Sequence, residues 1–270
     1  MKNNFSKLLD DYNKNGYVEL GKIINDKDLN KLLERTTDLM MGIKSYSGMF
    51  FQMDSNDGNY KNLDTKSEKF IGPSFRYRKI KDLEYDDLFL KVFHNYFLKY
   101  FSHKLIGKEV SCMRAMILNK PAKNSSVLKL HQDVSDNWLM SGKPNFTFWL
   151  SLNGSTKKKG CLKIIEKSHI YGKLGDGHFL KPKDIKKISH LKKKYIELKA
   201  GEAIIFNNYL LHGSEKNLTN KMRLAFTVCL MDSKVVHKKF NKTYSKIFGK
   251  NALNQKKIKK LKSIPLKPYK

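Results

Sequence analysis

After Gly107 the hydrophobic period of this chain changes from about 3.6 residues to about 2 and stays there for most of the remaining length. The stretches "EVSCMRAMIL", "SVLKLHQD", "NFTFWLSL", "GCLKII", "GEAIIF" and "RLAFTVCLM" are short, rich in β-formers and separated by Gly, Pro, Asn and Ser clusters. Upstream the period is helical. "FSKLLDDYNKNGYVEL" reads as an amphipathic helix ending near Asn15-Gly16 and followed by a short strand. "NDKDLNKLLERTTDLMMGI" reads as a second helix opened by a capping aspartate, and "YDDLFLKVFHNYFLKYF" as one buried helix. Helices followed by many short strands predict an α+β chain: an all-β core, sandwich or jelly roll, with flanking helices packed on one sheet.

The length of 270 residues suits a single domain of this kind, with 1–232 as its body, helical to about 107, and 233–270 as a lysine-rich C-terminal extension. The formal charge of +29 would ordinarily suggest a polyanionic partner. Its distribution argues against nucleic acid: residues 233–270 hold 13 lysines with no arginine and no acid, and the whole chain has only five arginines. Arginine is the residue whose planar fork matches phosphate, whereas dispersed lysine fits a solvated surface equally well. Three widely spaced cysteines with no CxxC pair read as buried thiols, not as a zinc site or a disulfide framework. No apolar run is long enough to span a bilayer, and Asp10 and Asp11 fall where a signal peptide would need its apolar stretch, so the expected location is cytoplasmic. The sequence carries no signal for oligomeric state. Residues 53–69, "MDSNDGNYKNLDTKSEK", are polar and turn-rich, a candidate lid.

Side chains two apart on a strand share a face, so His131 and Asp133 in "KLHQDVSDNW" project together while Gln132 turns away. Imidazole and carboxylate on one face are half of a two-histidine, one-carboxylate metal site, but the spacing alone fits a polar surface loop as well. A second segment, "NNYLLHGSEKNLTNKMRLAFTV", places His212 at another strand end. Farther along it, Arg223 shares a small-residue face with Ala225 and Thr227, and there it needs an anion, either a structural partner or a ligand.

The order of "NGYVEL", "MILNKPA", His131-Gln132-Asp133, "FWLSL", "GCLKIIEKSH", "GEAIIFNNYLLHGSEKN" and "KMRLAF", from about residue 5 to 232, resembles the phytanoyl-CoA dioxygenase family of Fe(II)- and 2-oxoglutarate-dependent oxygenases. The resemblance implies a double-stranded β-helix with His131, Asp133 and His212 as metal ligands. It implies that Arg223 and Ser214 grip the far carboxylate of 2-oxoglutarate, and that Trp149, Met116 and Lys79 line the cosubstrate. For Trp149 and Met116 plain core packing stays open, and for Lys79 a solvated surface position. Glu166-Lys167 stand where the family commonly has Pro-Gly, which alters a turn and no ligand; His169 beside them is a turn residue.

On that resemblance the cofactors are Fe(II), 2-oxoglutarate and O2, and the reaction is hydroxylation of a small molecule with release of succinate and CO2. The substrate is not written in the ligands. "PSFRYRKIK" clusters Arg76, Arg78, Lys79 and Lys81, and Arg114 lies on the strand before the HxD segment; inward-pointing members would favour an anionic metabolite. Two other classes stay open: a polyanion-binding β-sandwich with a vestigial metal site, and a cupin-type metal-dependent hydrolase or isomerase.

Overall fold

The computed structural model describes residues 2–46, 48–63, 69–123, 125–175 and 179–261. Helix α1 (Lys2–Asn15) stops at Gly16 and hands over to strand β1 (Tyr17–Lys22), as the sequence predicts. Helix α2 (Asp26–Met40) buries Leu29, Leu32 and Leu39, but its cap is Asn25 and not an aspartate: the Asn25 side chain accepts from Asp28 N. After β2 (Phe51–Met53) and β3 (Tyr77–Lys81), the single buried helix expected from "YDDLFLKVFHNYFLKYF" is two, α3 (Asp87–Phe93) and α4 (Tyr96–Leu105). The break has a local cause: α3 ends at His94, and the Asn95 side chain starts α4 by accepting from Phe97 N while it donates to Ile23 O.

From there the chain is mostly strand: β4 (Val110–Lys120), β5 (Leu128–His131), β6 (Phe146–Ser151), β7 (Leu162–Ile165), then helix α5 (Pro182–Lys187), β8 (Lys193–Ile196), β9 (Glu202–Asn207), β10 (His212–Ser214) and β11 (Arg223–Asp232). A small ribbon, β12 (Val236–His237) with β13 (Lys242–Thr243), precedes β14 (Ser245–Phe248) and helix α6 (Gln255–Leu261). All pairings between these strands are antiparallel. The large sheet runs β1-β9-β6-β11-β4-β3-β2, with β14 also on β4; the small one runs β5-β10-β7-β8. Two facing antiparallel sheets make the jelly roll that the alternating stretches predict.

Alternation on β11 sorts the two faces of the large sheet. Leu224, Phe226 and Val228 enter the main core, where they meet Leu32, Phe89, Phe93 and Phe101 from the helices. Ala225 enters a second core with Trp149, Leu162, Ile164 and Phe206, between the sheets. The lysine-rich stretch returns to the body: Ile247, Phe248 and Ile258 are buried in the main core. The three cysteines are buried and unpaired, and no helix among the described residues is long and apolar enough to cross a membrane.

Candidate active site

β5 and β10 run side by side with His212 paired to His131, so the two imidazoles meet with ring centroids 4.2 Å apart. The pairing requires Gly213: a Cβ there would stand 2.6 Å from Leu128 O. Asp133 follows β5, held by its own N–H to Asn208 O at 2.9 Å. Ligand-type atoms of His131, Asp133 and His212 lie within 4.8 Å of one another, and all three residues are buried.

The imidazoles are oriented from behind. His131 Nδ1 lies 2.9 Å from Lys129 O and His212 Nδ1 2.9 Å from Leu210 O, which fixes the proton on Nδ1 and turns each Nε2 lone pair inward. Those Nε2 atoms stand 4.0 and 3.7 Å from Asp133 oxygens. Burial pushes the His212 imidazole down from its ordinary value against the pull of Asp133. For Asp133 burial acts upward, but Arg114, with His212 and His131, outweighs it and holds the carboxylate well below its usual range. Arg114 Nη2 pairs with Asp133 Oδ1 at 2.5 Å and Thr147 Oγ1 donates to Oδ2 at 3.1 Å. Two imidazoles with their Nε2 atoms turned toward one carboxylate are the donor set of a divalent metal site with open positions.

The triad opens into a cavity between the sheets, and every other candidate from the sequence lines it: Arg223, Ser214, Trp149, Met116 and Lys79. Met116 and Trp149 flank Thr227 across β4, β11 and β6, with side chains on the cavity face. Lys79 is no surface residue: it sits opposite Leu118 inside the cavity, where burial, then Arg78 and Arg114, push its ammonium well down. Arg223 is 4% exposed, and its guanidinium lies 5.4 Å from the Trp149 ring centroid. It makes only long bonds, to Leu118 O at 3.4 Å and Gly160 O at 3.3 Å, and its Nε has no partner. Burial pulls it down to about 10. Among the described residues no carboxylate reaches it.

Gln132 faces away from the triad and ties the site to its surroundings, donating to Gly172 O and Tyr209 O and accepting from Leu174 N. Asp136 pairs at the surface with Lys143 and Lys173, and His169 bonds Asn13 O, far from the metal ligand atoms in role and partner. Of the basic cluster, Arg78 joins Arg114 and Lys79 in the cavity, whereas Arg76 bonds Ser55 O and Lys81 lies over the Phe50 ring. Thr147 and Lys120 are cavity residues that the sequence reading did not single out. Alternation could have found both, since Thr147 shares a face with Trp149 and Lys120 with Met116. Tyr60, from the polar 53–69 stretch, had no such signal; residues 64–68 of that stretch lie outside the described ones.

The fold has solved counterparts. An epimerase, SnoN, in complex with Fe3+, alpha ketoglutarate and nogalamycin RO, superposes with a TM-score of 0.63 at 14% identity, covering 88% of this chain and 87% of that one. EctD from S. alaskensis with 2-oxoglutarate and 5-hydroxyectoine superposes at 0.64 and 16% identity, covering 92% and 81%. By sequence, "Phytanoyl-CoA dioxygenase 1" of Oryza sativa subsp. japonica is 25% identical over 251 residues, 82% of this chain and 87% of the rice protein. The sequence model described as "Phytanoyl-CoA dioxygenase (PhyH)" matches residues 12–225, a span that takes in the triad, the cavity strands and the buried arginine, and the chain therefore belongs to the phytanoyl-CoA dioxygenase family of Fe(II)- and 2-oxoglutarate-dependent oxygenases.

Proposed function

We propose that this oxygenase hydroxylates a small anionic metabolite with release of succinate and CO2, using His131, Asp133 and His212 as its iron ligands. Three groups on one rigid edge, each already oriented by a hydrogen bond, can bind metal with little rearrangement. His131, Asp133 and His212 would hold iron(II), which would activate O2, the oxidant, with 2-oxoglutarate giving up two electrons as it becomes succinate and CO2 and the substrate giving up the other two.

The observation that carries the reading is Arg223: a buried guanidinium with an unpaired Nε and no acid, beside Ser214 in the triad's cavity. Burying a cation without a counter-charge is costly, and a ligand carboxylate received by the fork would remove that cost. In this reading Arg223 and Ser214 hold the distal carboxylate, while Trp149, Met116 and Lys79 wall the cosubstrate. Apolar walls from Leu118, Leu162 and Phe206 exclude water around it. The described part of the polar stretch, 53–63, acts as a lid, a role supported by Tyr60, which packs on Phe179 at 5.3 Å while Phe179 bridges His131. A hydrolase or isomerase on the same ligands would leave Arg223 without an anion.

The test is an aerobic assay of iron-reconstituted protein against a panel of carboxylate, phosphonate and phosphate-ester metabolites. The expected result is succinate formed in step with O2 uptake, raised by at least one of these anions and absent in Asp133→Ala. Turnover of a substrate without 2-oxoglutarate consumption would overturn the proposal in favour of the hydrolase or isomerase class.

A further inference from the structure

Arg78 on β3 lines the same cavity and is 6% exposed. Its Nη1 donates to Gln52 Oε1 at 2.9 Å, and its guanidinium carbon stands 5.0 Å from the Tyr60 ring centroid. Both neighbours are neutral. Among the described residues no carboxylate pairs with it, so Arg78 shares with Arg223 the condition of a buried cation lacking a counter-ion.

The cavity's charges show why one cosubstrate does not satisfy both. Arg78, Lys79, Arg114, Lys120 and Arg223 line it, against a single acid, Asp133. Arg114 is committed to Asp133. Lys120 donates to Ser126 O at 2.6 Å, and burial pushes both ammonium groups well down from their ordinary value. 2-Oxoglutarate has two carboxylates: the one next to the keto group goes to the metal and the distal one to Arg223. Nothing in the cosubstrate is left for Arg78.

We infer that Arg78, with the Tyr60 ring beside it, determines substrate class by seating an oxyanion carried by the substrate, a carboxylate or a phosphoryl group, apart from the cosubstrate grip of Arg223. The inference rests on the cosubstrate reading above. Gln52 uses one of the five guanidinium N–H donors, and Tyr60 occupies a ring face, which leaves part of the fork's edge for a bidentate oxyanion. Tyr60 also links Arg78 to Phe179 and through it to His131, which puts the anion's seat in contact with the residues above the triad.

The experiment loads the full chain with Mn(II) and saturating 2-oxoglutarate at fixed ionic strength, then titrates methylphosphonate or acetate. Paramagnetic relaxation of the probe's 31P or 13C nucleus reports only anions near the metal, so binding to surface lysines does not register. The expected result is saturable relaxation in wild type by at least one probe, weakened about thirtyfold or more in R78Q and partly retained in R78K. The two probes separate a phosphoryl from a carboxylate preference. 2-Oxoglutarate affinity, read by calorimetry, should stay within about threefold in R78Q and fall by about thirtyfold or more in R223Q. Three results would overturn the inference: no probe relaxation in wild type that binds 2-oxoglutarate, relaxation unchanged in R78Q, or loss of 2-oxoglutarate itself in R78Q. Failure of 2-oxoglutarate to bind wild type at all would instead remove the cosubstrate reading beneath it. R78K guards against a packing defect, since it keeps the charge and most of the stem.

Discussion

Arg114, part-buried, and Arg223, buried, are guanidiniums on neighbouring strands, β4 and β11, and they differ in what faces them. Arg114 meets Asp133, so its charge is spent inside the protein, where it keeps the carboxylate of the triad ionised. Arg223 meets only carbonyls and a ring, so its charge is left for a ligand. Glu84 is the opposite case, an acid buried without a cation. Its Oε2 has no partner, and burial, helped by Asp82, pushes its carboxyl up from 4.5 to about 8. Below pH 4.5 both folded and unfolded chains hold the Glu84 proton; between there and about 8 only the folded chain does, so stability is lost as pH rises through this window. Glu84→Gln should remove that loss: equal to wild type near pH 4.5 and more stable by on the order of 3 kcal/mol at pH 8.5, read by urea unfolding. A pH-independent difference between the two proteins would contradict the assignment.

At the scale of elements, the site depends on how closely β10 approaches β5. Gly213 permits that approach, and a methyl group there meets Leu128 O and Lys129 O from the partner strand. Gly213→Ala should therefore spread the two histidines, costing about 1–3 kcal/mol in stability and weakening Mn(II) binding by about tenfold or more in calorimetry. The large-sheet strands that frame the site, β4, β6 and β11, were legible because each has one face to the main core and one to the cavity, and the alternation of Arg223, Ala225 and Thr227 against Leu224, Phe226 and Val228 states this outright. His131, Asp133 and His212 were legible only together, since an HxD spacing has no meaning until a second histidine stands at a neighbouring strand end. The α3–α4 break was not, because apolar spacing runs through it and only the cap made by Asn95 shows the stop. Nor was β14: lysines dominate its surroundings, and Ile247 and Phe248 become core residues through pairing with β4, a contact between distant parts of the chain.

On the scale of the whole molecule, the fold separates two tasks. Helices and the outer face of the large sheet make the apolar core, and the space between the sheets holds Arg78 and Arg223, two buried cations that no carboxylate among the described residues pairs with. The net charge of +29 comes mostly from lysine and says little about the ligand, whereas the few arginines inside say a good deal. The central claim is that the triad and Arg223 form one iron and 2-oxoglutarate site. It is tested most directly by titrating 2-oxoglutarate into anaerobic, Fe(II)-reconstituted protein and following the visible charge-transfer band of the metal-bound cosubstrate. The account predicts a saturable band in wild type, no band in His131→Ala, and in Arg223→Ala a band whose half-saturation rises by about thirtyfold or more. A wild-type protein that binds iron but develops no band, or an Arg223→Ala titration that coincides with wild type, would contradict it.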